Sequence, residues 1–124
     1  MPNASIAFSA SVNDGTETKS LSSSGTIGCT QLVNGSQTVG NTYEVFATAY
    51  GTASTVIIYN TGAVDASIRV TLGPSATNDY QFLNCIAGGM VVVPQVWGDG
   101  TERWSALHAR SDSGTVLLDY CIIR

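Results

Sequence analysis

The sequence predicts an all-β protein, an antiparallel β-sandwich or jelly roll with little or no helix, on three observations. Short runs of β-branched and aromatic residues recur along the chain; clusters of Gly, Asn, Asp and Pro interrupt them roughly every 8 to 15 residues; and no 3.6-residue hydrophobic period is sustained anywhere.

Taken in order, SIAFSASV alternates Ile6, Phe8, Ala10 and Val12 with small residues, the period of a strand. Asn13-Asp14-Gly15 tolerates positive backbone dihedrals and predicts a hairpin into Thr16–Leu21. Ser22–Asn41 is rich in glycine and hydroxyls and reads either as strand fragments joined by turns or as a long loop that grips a partner. Thr42–Tyr50 alternates, but both parities carry large apolar groups, so it is expected centrally in a sandwich or at an interface. The run STVIIYN ends at Asn60-Thr61-Gly62, a turn, and ASIRVTLG sets Ile68, Val70 and Leu72 against Arg69 and Thr71, one face buried and one wet. YQFLNCIAGGMVVVPQV reads as two strands broken at Gly88-Gly89, with Pro94 confining the end of the second to a sheet edge or exit. GDGTER is a polar turn, WSALHAR a strand, RSDSG a turn, and GTVLLDYCII an almost wholly apolar last strand. One sandwich domain over residues 1–124 is expected, with 1–42 as an extended arm or irregular N-terminal part.

The 124 residues suffice for one core, yet charged residues make up only 11 % of the chain, below half of the roughly 25 % usual in soluble domains. Fourteen Ser, fourteen Thr and seven Asn carry the polar share. Such a surface has little charge to keep molecules apart, which points to cover by neighbouring copies or other proteins. The net charge of −4, with Lys19 the one lysine, disfavours nucleic acid as a partner, because phosphate neutralisation needs clustered Lys and Arg. No window approaches the roughly 18 apolar residues of a membrane span. The N-terminus lacks the charged and apolar blocks of a signal peptide, so the chain reads as a soluble, unprocessed product. Cys29, Cys85 and Cys121 are odd in number and far apart, which suits free buried thiols rather than a disulfide framework or a zinc site.

The order IIYNTG, IRVTL, FLNCIAGGMVVVP and SGTVLLDYCII, over roughly the C-terminal 70 residues, resembles that of small virion structural proteins of tailed bacteriophages. Cys85 and Gly88-Gly89 depart from it, a single Gly before an acidic residue being commoner there. The resemblance implies a capsid decoration or cement protein in the virion, working as a homo-oligomer, a trimer being favoured, against its own copies and the major capsid protein. A neck, tail or fibre component is the nearest alternative, and a carbohydrate-binding sandwich module is the alternative of a different class.

No catalytic motif stands in the chain: His108 is the single histidine and no serine or cysteine nucleophile has a recognisable setting, so no enzyme, cofactor or metal is expected. Asp99, Glu102 and Asp112 fall in turns, but so do Asp14 and Asp79, and acidic turn residues mostly cap and solvate. Trp97 and Trp104 flank GDGTER and suit a core or protein interface better than a sugar platform. The residues expected at a protein interface are Trp97, Arg103, Trp104, Arg69, Phe46 and Tyr50.

Overall fold

Alternating small and bulky residues in the first thirty positions make a ribbon. In the computed structural model, which describes residues 3–13, 15–29, 31–47, 55–72, 80–94, 96–97 and 102–124, β1 (Asn3–Asn13) and β2 (Thr18–Gly28) pair antiparallel from Asn3↔Gly28 to Asn13↔Thr18. The turn closes as expected: Gly15 sits at φ +90° and its N–H donates to Asn13 Oδ1 at 2.7 Å. One face of the ribbon exposes Ser5, Ala7, Ser9 and Ser11 beside Ser20, Ser22, Ser24 and Thr26. Ile6, Phe8, Val12, Leu21 and Ile27 all occupy positions of the other parity. Met1–Thr30 forms one compact unit and Gln31–Arg124 a second. The ambiguous segment is strand on both sides of this division, as the end of β2 and as β3 (Leu32–Val39).

In the second unit the chain runs as one long hairpin and rolls up. Its outgoing arm is β3, β4 (Glu44–Val45), β5 (Thr55–Asn60) and β6 (Ala66–Leu72); the returning arm is β7 (Tyr80–Cys85), β8 (Met90–Val93), the short β9 (Val96–Trp97), β10 (Glu102–Ser111) and β11 (Val116–Ile123). The arms pair as β6·β7, β5·β8, β4·β10 and β3·β11, all antiparallel. Rolling gives two sheets, ordered β3-β11-β5-β8 and β4-β10-β6-β7, with β9 on the end of β10. This interleaving of two Greek keys is the jelly roll. No helix occurs among the described residues.

Between the sheets lie Val39, Phe46, Val56, Ile58, Ile68, Val70, Leu107, Leu118 and Ile122, all buried. Each large aliphatic or aromatic side chain taken out of water contributes about 1.5–3 kcal/mol, so this layer holds the two sheets together. A buried polar residue organises the connections. Asn60 donates from Nδ2 to the carbonyls of Val64 (2.8 Å) and Cys85 (2.9 Å), while its Oδ1 accepts from Gly62 N–H at 2.9 Å. Its own backbone pairs with Gly88 and Gly89, each at 2.9 Å. The β5–β6 and β7–β8 connections are thus tied to one side chain, and Gly88, at φ +73°, supplies the turn that breaks β7 from β8 where the sequence places it.

The expected strand Thr42–Tyr50 is only two residues long in the described part. Ala47 turns into the left-handed region at φ 54° immediately after Phe46, and residues 48–50 lie outside the described residues. β4 is also an edge strand rather than a central one. Beside it Phe46 fills the core while Val45 stays 55 % exposed.

Candidate interaction surfaces

The outward faces of a sandwich usually carry polar residues. Here strand parity turns large apolar groups outward on both sheets. On the β3-β11-β5-β8 face the rows Ser36–Asp119–Tyr59–Met90 and Asn34–Cys121–Ile57–Val92 run across the strands, with Leu117 and Leu32 beyond them. Leu32, Tyr59, Met90, Val92 and Leu117 are all exposed, Leu32 by 56 % and Met90 by 55 %. A groove of ≈ 470 Å³ opens among Asn34, Ser36, Ile57, Tyr59 and Asp119, and Asp119 Oδ1 accepts from Ser36 Oγ at 2.6 Å. Gly35 keeps its place beneath because a Cβ there would meet the ring end of Tyr120, which packs edge-on against Phe46 with centroids 5.4 Å apart.

The β4-β10-β6-β7 face has a different chemistry. The row Val45–His108–Arg69–Phe82 crosses it. The Arg69 guanidinium lies over two rings, 4.7 Å from the centroid of Tyr43 and 4.7 Å from that of Tyr80. Arg110 sits 4.9 Å from the Tyr43 centroid as well. Phe82, 60 % exposed, extends the patch, with its ring 6.2 Å from Tyr43 and 6.3 Å from Tyr80. Such cation–π contacts hold each guanidinium by its flat faces. Arg69 Nε and His108 Nδ1 are both buried without a hydrogen-bond partner. Buried polar atoms are ordinarily satisfied; Arg69 Nε is a donor without an acceptor here, while His108 Nδ1 can donate or accept according to its tautomer.

His108 is pushed below the usual imidazole value, by burial first and by the Arg69 charge second. The unfolded chain, with an imidazole near 6.5, then binds the proton more readily than the folded one. Folding stability is therefore expected to be undiminished by this group above about pH 7 and to fall as pH drops through about 6.5 toward the folded value, before the carboxylates titrate. Thermal melts of the native chain and of His108→Gln between about pH 7.5 and 5 check this; the variant's profile should be flatter.

The six residues expected at an interface part company. Arg69 lies on the second face as described. Phe46 is 0 % and Trp104 2 % exposed, so both are core residues, and their expected interface role is corrected. The reason for Trp104 is a register shift between Trp104 and Ala106 on β10, which turns the indole inward while Ala106, His108 and Arg110 face out. A sugar platform built on the two tryptophans loses this member. Trp97 and Arg103 are placed only as strand positions, in the β9–β10 pairing Glu102↔Trp97 and Arg103↔Val96, and Tyr50 lies outside the described residues. Asp99 and the middle of GDGTER lie outside them too.

Sequence reasoning missed Tyr43, Tyr80, Phe82 and Arg110 on one face and Tyr59, Met90, Val92 and Leu117 on the other. A signal was present: MVVV and VLLDYCII are apolar at both parities, which in a two-layer sandwich requires one parity to point outward. All three cysteines are free thiols, Cys29 and Cys85 buried and Cys121 partly so. Burial raises the thiol values of Cys85 and Cys121, which keeps both protonated and poorly nucleophilic. No group of three or more His, Cys, Asp or Glu side chains among the described residues is placed to hold a metal.

No protein-family model, no curated protein and no solved structure matches this chain.

Proposed function

We propose that the chain is a structural subunit of a tailed-phage virion, a capsid decoration or cement protein that stabilises the shell by repeated contacts between subunits. The observation that supports this reading most is that both outer faces of the jelly roll expose large apolar side chains, eight of the nine such exposed residues among the described ones lying on them. A freely diffusing domain rarely leaves two such patches open, whereas a subunit enclosed by neighbours needs them. The low charge of the chain agrees with this, since little of its surface would be left to water.

The mechanism requires no chemistry. An interface of ordinary size removes about 1,600 Å² from water, and its apolar part, at about 25 cal/mol per Å², outweighs the cost of association by an amount that is modest for each contact. A shell multiplies that contact over every copy.

The test is direct imaging of phage particles that carry a labelled copy of the chain. Label spread over the capsid lattice, with saturable rebinding of the purified chain to stripped shells and a higher temperature of genome release, is the expected result. Label confined to one vertex or to the tail would move the protein to the neck, tail or fibre. Particles without label, and stripped shells that bind none of the purified chain, would refute a virion role.

A further inference from the structure

We infer that copies of this chain associate front to back, the outer face of β3-β11-β5-β8 on one copy docking against the outer face of β4-β10-β6-β7 on the next, with Asp119 of the first meeting Arg110 and Arg69 of the second. This rests on the reading above that the chain works against its own copies, and specifies how.

The argument is one of charge. Asp119 is the single charged residue at the outward strand positions of the first face, set beside a groove of ≈ 470 Å³ with the amide of Asn34 and the hydroxyls of Ser36 and Tyr59 around it. Among the residues whose side chains are described, the second face carries Arg69 and Arg110 at its outward strand positions and no carboxylate. At the margin of this face Glu44 accepts from Gly40 N–H and Gln37, and Asp112 accepts from Ser67 Oγ much as Asp119 accepts from Ser36 Oγ, which leaves each carboxylate further acceptor capacity. A symmetric contact of first face with first face would bring Asp119 toward its own copy. A symmetric contact between second faces would crowd four guanidinium groups. Either buries like charges without a counter-ion, which is costly, while the front-to-back contact pairs them.

Chemistry and shape agree with the charges. An arginine whose flat faces are covered by tyrosine rings presents its N–H edge, the geometry that suits a carboxylate. The apolar surroundings also match, Tyr59, Met90, Val92 and Leu117 on one side and Tyr43, Tyr80, Phe82 and Val45 on the other. Large aromatic and arginine side chains of this kind are the usual anchors of protein contacts. A contact between two different patches closes into a ring or grows as an open stack, and either form satisfies the inference.

Analytical ultracentrifugation of the full chain, alone and with charge-reversed variants, tests it. Asp119→Arg and Arg110→Glu should each weaken self-association at least tenfold, and an equimolar mixture of the two, or the double variant D119R/R110E, should restore it. The restored mass also establishes that the variant surfaces are folded. Association that survives Arg110→Glu unchanged, a closed symmetric dimer, or singles whose loss the double variant does not repair would overturn the pairing. A wild-type chain that stays monomeric at every concentration overturns it too. Binding of the purified chain to stripped shells is scored separately, so a chain that binds shells but ignores its own copies sinks this pairing and leaves the virion role standing.

Discussion

Replacing Phe46 by alanine is expected to remove about 3–5 kcal/mol of folding stability, the cost of deleting a fully buried aromatic side chain and leaving a cavity. Phe46 is among the largest side chains with no exposed surface, and it meets the ring of Tyr120 edge-on across the core. Its backbone N–H donates to the Leu107 carbonyl at 2.9 Å, which anchors the point where the chain leaves β4. Since a domain of this size ordinarily has about 5–15 kcal/mol in total, the variant should melt far below the native chain or fail to fold. Val45, its neighbour in sequence, is 55 % exposed, and Val45→Ala should change stability by no more than about 0.5 kcal/mol. Chemical denaturation of both variants decides the matter. Equal small effects at the two positions would mean that Phe46 is not a core residue.

Asn60→Ala carries the second large effect. The side chain is wholly buried and makes three hydrogen bonds, two donated to Val64 O and Cys85 O and one accepted from Gly62 N–H. Its removal strands two carbonyls and one amide in a water-poor setting, at about 1–3 kcal/mol for each group left unsatisfied, partly relieved where water can enter. A loss of about 2–4 kcal/mol is expected on that basis. Asn60→Asp should be no better, because a carboxylate cannot donate to the two carbonyls and is itself costly to bury. Amide exchange offers a second reading: protection at Gly62, Gly88 and Ala87 should fall together, because the β5–β6 and β7–β8 connections share this tie and Asp65 accepts from Ala87 N–H at 2.9 Å. Loss confined to Gly62 would show that the two connections are held independently.

These two positions show how far a linear reading reaches. Asn60-Thr61-Gly62 announces a turn, and a turn is what forms, because Asn and Gly carry that preference locally. Nothing local announces that the Asn60 amide also reaches Cys85, 25 residues on. Phe46 sits in a run with bulky groups at both parities, and alternation alone leaves open which parity is inward. Trp104 misleads in the same way: a register shift within β10 reverses its facing, and no pattern in WSALHAR marks it.

Strand content, turn positions and the low share of charged residues are properties of short windows and of composition, and they could be read from the residues in order. The all-β class followed from them, as did the Asn13–Gly15 hairpin, the break at Gly88-Gly89 and the free thiols. Which strands neighbour each other, and so which side chains share an outer face, depends on how one long hairpin rolls up. The roll brings Arg69, Tyr80 and Arg110 together from three strands with Tyr43 just ahead of a fourth, and leaves Asp119 as the one charged strand position on the opposite sheet. Contacts between residues so distant in sequence are decided by packing of the whole core, because side-chain direction on a strand is known only once its partner sheet is in place.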